Sequence, residues 1–159
     1  MRWILAAALM IAMAAGATPA GAAETQYVSQ KGQWIRNKAE SKIPADGFKP
    51  IDTPMVVTKD DGHLLKFDVY LMTPEGLQPK ITFDGAYDGK PYPFGKGTTV
   101  AYSHISPTSY RTELKSADGA VATEIVTFIA GNTKMRFEGK RTEKSGKSYD
   151  YVEVWDKMQ

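Results

Sequence analysis

The chain has 159 residues, no cysteine, and 20 basic against 18 acidic side chains. The missing cysteines exclude disulfides, thiolate metal sites, a cysteine nucleophile and a lipidated N-terminal cysteine. The near-neutral charge excludes long-range attraction to a polyanion, so nucleic acid is not an expected partner.

Residues 1–23 read as a secretory signal peptide: one positive charge at Arg2, an apolar run from Trp3 to Ala15, then small residues from Gly16 to Ala23. Cleavage is expected near Ala22 or Ala23. The apolar run is shorter than the roughly 20 residues a spanning helix needs, so no stable membrane insertion is expected after cleavage. The mature chain keeps 19 basic against 18 acidic residues and is expected in the periplasm or outside the cell. At that length one domain suffices, burying about two-thirds of its unfolded surface.

Residues 24–31 are polar and aperiodic, which predicts a flexible lead-in, and residues 32–159 form the domain. Gly32 to Asn37 is the first short strand. The breakers Pro44, Gly47, Pro50 and Pro54 then leave room for at most one helical turn. Met55 to Lys59 and Leu64 to Met72 are strands joined by Asp60-Asp61-Gly62, a strong hairpin signal. In the second of them Leu65, Phe67, Val69 and Leu71 share one side. Thr73-Pro74-Glu75-Gly76 turns into the strand Lys80 to Tyr87, which stops at Asp88-Gly89.

Further strands are expected at Thr98 to Ile105, Tyr110 to Lys115, Ala120 to Ile129, Thr133 to Glu138 and Tyr149 to Trp155. Ala120 to Ile129 is apolar on both faces. Turn markers recur about every 12 to 18 positions, the spacing of an all-β antiparallel meander closed into a barrel or folded into a sandwich.

No catalytic signature appears, so the chain is expected not to be an enzyme. His63 sits at a hairpin tip and His104 on a strand. Two histidines 41 positions apart, without cysteine, make no zinc site, and no calcium loop or cofactor fingerprint is present. Asp68, Asp84, Glu113 and Glu124 lie on strands, where solvated outer faces explain them. The aromatic window is the suggestive feature. Tyr87, Tyr92, Tyr102 and Tyr110, with His104 beside them, suit a barrel mouth that takes an amphipathic molecule, though ordinary cross-strand packing is the favoured account of them.

Gly32-Gln33-Trp34 with Ala39-Glu40-Ser41-Lys42, then Gly85 to Pro93, and finally Val154-Trp155-Asp156-Lys157 resemble the uncharacterised lipocalin-like domain proteins that bacteria secrete. The resemblance implies a calycin-type up-and-down barrel of about 8–9 strands, with Trp34 closing its floor and Lys157 packing over that ring. It implies no particular ligand. The leading expectation is an exported binding protein for a small apolar or amphipathic molecule, without cofactor or metal. The alternative is a structural or protein-interaction module with a filled barrel and an outer apolar strip at Ala122, Val126 and Phe128. A third reading is a hydrolase or isomerase built around His104 and a carboxylate.

Overall fold

A computed structural model describes residues 25–49 and 52–159; the signal-peptide reading of residues 1–23 lies outside them. Ten strands follow in order: β1 Gly32–Arg36, β2 Met55–Asp60, β3 Leu64–Thr73, β4 Gly76–Ala86, β5 Tyr92–Pro93, β6 Thr99–Ser106, β7 Ser109–Lys115, β8 Val121–Ile129, β9 Lys134–Thr142 and β10 Ser148–Lys157. The sheet is all antiparallel, and β1 joins β10, so the meander curls into a nearly closed barrel. Only β4 and β5 are neighbours in sequence without a ladder between them.

That seam has local causes. Pro79 lies in β4, a position tolerated because an edge strand leaves one row of backbone groups unpaired. Side chains bridge the gap instead: the Phe83 and Tyr92 rings meet edge to face at 6.3 Å. Gly85 makes this approach feasible, since a Cβ there would lie 2.7 Å from both rings. The two-residue β5 is the strand beyond the expected eight or nine. Flanked and occupied by prolines, it is too short to show alternation.

Hairpin chemistry sets the ladders. At the β2–β3 turn Asp61 Oδ1 accepts the backbone N–H groups of His63 and Leu64 at 3.0 and 2.7 Å, while Gly62 takes φ +82°, a left-handed angle that glycine adopts without strain. Ala130, Gly131 and Asn132 all have positive φ, and between them β8 and β9 stay in register from Val121↔Thr142 to Ile129↔Lys134.

Inward residues form one core that includes Trp34, Leu65, Phe83, Val126 and Met135, each essentially without solvent exposure. Past Val69 the β3–β4 ladder shifts, because Lys80 of β4 is passed over between Ile81 and Pro79, and Leu71 beyond it is 43% exposed and outside the core. One sequence expectation is corrected here. In β8 the strip Ala122, Val126 and Phe128 points into the barrel and is buried, whereas Val121 is the exposed residue. The strand is apolar on both faces, so its neighbours decide which face goes in: Val126 lies opposite Tyr110 and Phe137.

One end of the barrel is filled by side chains. Trp34 donates its indole N–H to the Gln30 carbonyl at 2.7 Å, and the Lys157 ammonium lies 5.4 Å from the Trp34 ring centroid. Residues 25–31 form no strand, yet Val28 N donates to the Pro107 carbonyl at 2.8 Å and the buried Gln30 side chain reaches Tyr87 and Tyr110. The lead-in thereby crosses this end as a plug.

Candidate functional site

Above the plug the interior is open. A cavity of about 250 Å³ runs up from Gln30 between apolar walls that include Phe67, Val69, Tyr102 and Trp155. It reaches the end framed by Phe48, Lys49, Phe94 and Arg141. The segment between β1 and β2 builds part of this mouth. Asn37 caps its first turn by accepting the N–H groups of Ala39 and Glu40 at 3.1 Å. Phe48 then packs edge on against Tyr151 at 4.9 Å, and its N–H donates to the Tyr149 hydroxyl at 2.8 Å.

A polar belt crosses these walls, and the strand register explains it. Tyr102, Thr112, Glu124, Gly139 and Tyr151 stand opposite one another on β6, β7, β8, β9 and β10. All face inward, because the strand period of two puts every second residue on the same side. Thr112 Oγ1 donates to Glu124 Oε2, and Tyr151 donates its hydroxyl proton to Glu124 Oε1 at 2.7 Å. Tyr151 spans the width of β9 to do so. Gly139 allows the crossing, since a Cβ there would sit 2.5 Å from Tyr151 Cζ.

One row away is Glu153, 8% exposed. Its Oε2 accepts the Trp155 indole N–H at 3.1 Å, while Oε1 has no hydrogen-bond partner and lines the cavity. Burial pushes its carboxyl up to about 7; the Trp155 hydrogen bond opposes that rise and the neighbouring Glu124 charge adds to it. Tyr102 is likewise 8% exposed, lines the same space and bonds its hydroxyl to no protein group; burial, then the Glu124 charge, raise its pKa. At the mouth Arg141 is engaged already: its Nε donates to Glu143 Oε1 at 2.8 Å, and its guanidinium lies 5.5 Å from the Phe48 ring centroid.

The residues singled out from sequence separate into three places. Tyr102 and Tyr110 line the cavity, and the Tyr110 hydroxyl donates to Gln30 Oε1 at 3.2 Å. Tyr87 and His104 belong to the plug. The His104 ring lies between Tyr27, at 3.6 Å, and Tyr87, at 4.1 Å between centroids. His104 Nε2 donates to the Gly62 carbonyl at 3.0 Å, and burial lowers its pKa. Tyr92 lies at the seam, its hydroxyl donating to Asp88 at 3.2 Å. Trp34 and Lys157 meet at the filled end as described.

Of the strand carboxylates, Asp68, Asp84 and Glu113 are on the outer face, Asp84 paired with Lys66 at 3.1 Å. Of the four carboxylates singled out from sequence, Glu124 alone faces in. Sequence reasoning missed Glu153, Thr112, Gln30 and Arg141. The first had a readable signal, a carboxylate at the inward phase between Tyr151 and Trp155. Gln30 had none, because it lies outside any periodic segment. A scan against protein-family models found no match, and a search of curated proteins found none either.

Proposed function

We propose that the chain is an exported, lipocalin-like binding protein that takes a small apolar or amphipathic molecule into its barrel through the Phe48–Arg141 end. One observation carries the reading: an open interior of about 250 Å³ with apolar walls and a few convergent polar groups, the make-up of small-molecule sites. That volume is below the usual range of about 300 to 1,000 Å³, so the occupant is compact. The non-enzymatic reading is supported by His104, whose Nε2 is committed to a backbone carbonyl and whose ring is covered on both faces. The structural alternative loses its outer strip, because Ala122, Val126 and Phe128 point inward.

Native mass spectrometry of the protein purified from its own host tests the proposal. A co-purifying small molecule released on denaturation is the expected result; a clean apo mass with a stably bound protein overturns it in favour of the interaction module.

A further inference from the structure

The cavity's polar atoms are unequal in a way that selects among amphipathic molecules. Both Glu124 oxygens already accept a protein hydrogen bond. Glu153 Oε1 accepts none, and the Tyr102 hydroxyl makes none, though both side chains are more than nine-tenths buried and line the cavity. Neither atom is sealed off, so each keeps a hydrogen-bonding position that a group entering the cavity can take. Two carboxylates face this space, while the two guanidiniums near it are already paired, Arg141 with Glu143 and Arg36, which acts on Glu153, with Asp52. Lys49 at the mouth is exposed to solvent.

Resting on the binding reading above, we propose that the ligand is an amphipathic primary amine whose ammonium group is held by Glu153 Oε1 and the Tyr102 hydroxyl. Its apolar body packs along Phe67, Val69 and Trp155. An ammonium has three donors and no acceptor, which matches a site offering a free carboxylate oxygen, a hydroxyl lone pair and the Glu124 charge nearby. A fatty-acid carboxylate would meet two like charges and find the Arg36 and Arg141 guanidiniums already paired with Asp52 and Glu143.

The test is calorimetric titration of the full chain at pH 8 with n-octylamine, n-octanol and octanoate. Alkylamines are protonated there, as lysine is. Charge-assisted hydrogen bonds in a buried site make octylamine about ten- to a hundredfold tighter than octanol. In Glu153→Gln that preference falls toward unity, and Tyr102→Phe reduces it in part. Octanol or octanoate binding as tightly as octylamine overturns the amine assignment and leaves the binding reading standing. Absence of binding by all three overturns the assignment, and with a clean apo mass from the host it overturns both. The wild-type comparison decides the matter even where a variant folds poorly.

Discussion

Glu153→Gln is the perturbation that probes the interior most sharply, because it removes a buried charge without removing shape. Gln keeps an oxygen for the Trp155 indole and loses only the ability to ionise. The Glu153 carboxyl titrates at about 7 in the fold against an ordinary 4.5, so between those values the folded chain binds the extra proton. Its contribution to stability is therefore greatest below about pH 4.5, is lost as pH rises through about 7, and stays level above that. The difference corresponds to about 3 kcal/mol at ~1.4 kcal/mol per pH unit. Urea unfolding of wild type and Glu153→Gln at pH 4.5 and pH 8 measures it as a difference of differences. That design cancels His104 and Asp60, which titrate in both proteins. The wild type should lose about 3 kcal/mol more than the variant over this interval, leaving the variant the more stable protein at pH 8. Parallel pH profiles would refute the claim that Glu153 is a desolvated carboxyl.

Three further outcomes follow from the packing. Gly139→Ala places a methyl 2.5 Å from Tyr151 Cζ; it should cost about 1–3 kcal/mol as an overpacked site, read by urea unfolding, and unchanged stability would contradict the crossing of Tyr151 over β9. Lys157→Met keeps the aliphatic stem over Trp34 and removes the charge, for an expected loss of about 0.5–1 kcal/mol; a neutral result means the ammonium adds nothing there. Tyr27→Ala uncovers one face of His104. Its pKa, lowered by burial, should climb back toward 6.5 in an NMR titration, and an unmoved value would show that the lead-in does not shield it.

Much of the barrel is legible because turn chemistry and period-two alternation are local properties. Asp60-Asp61-Gly62 states its hairpin outright, and Leu65, Phe67 and Val69 state which side of β3 goes in. What escapes is whatever depends on a partner strand. The β3–β4 ladder shifts past Val69 because Lys80 of β4 is passed over, which no residue in β3 announces. The inward face of β8 is set by Tyr110 and Phe137 across two ladders, so a strand apolar on both sides cannot declare it. The site shows the same division: Tyr102 and Tyr110 were visible as aromatic residues on strands, whereas the belt from Tyr102 to Tyr151 exists only once five strands are aligned. His104, read from sequence as packing at the core or rim, has both ring faces covered, and one cover, Tyr27, comes from an aperiodic segment that gave no sign of it.

The central claim is that the barrel interior, not its surface, receives the small molecule. Intermolecular NOEs between the protein and a ligand recovered from the native host, or octylamine in its place, locate that molecule directly. Contacts to Phe67, Val69, Tyr102 and Trp155 are the expected result. Contacts confined to outward residues such as Val121 or Leu71 would contradict it.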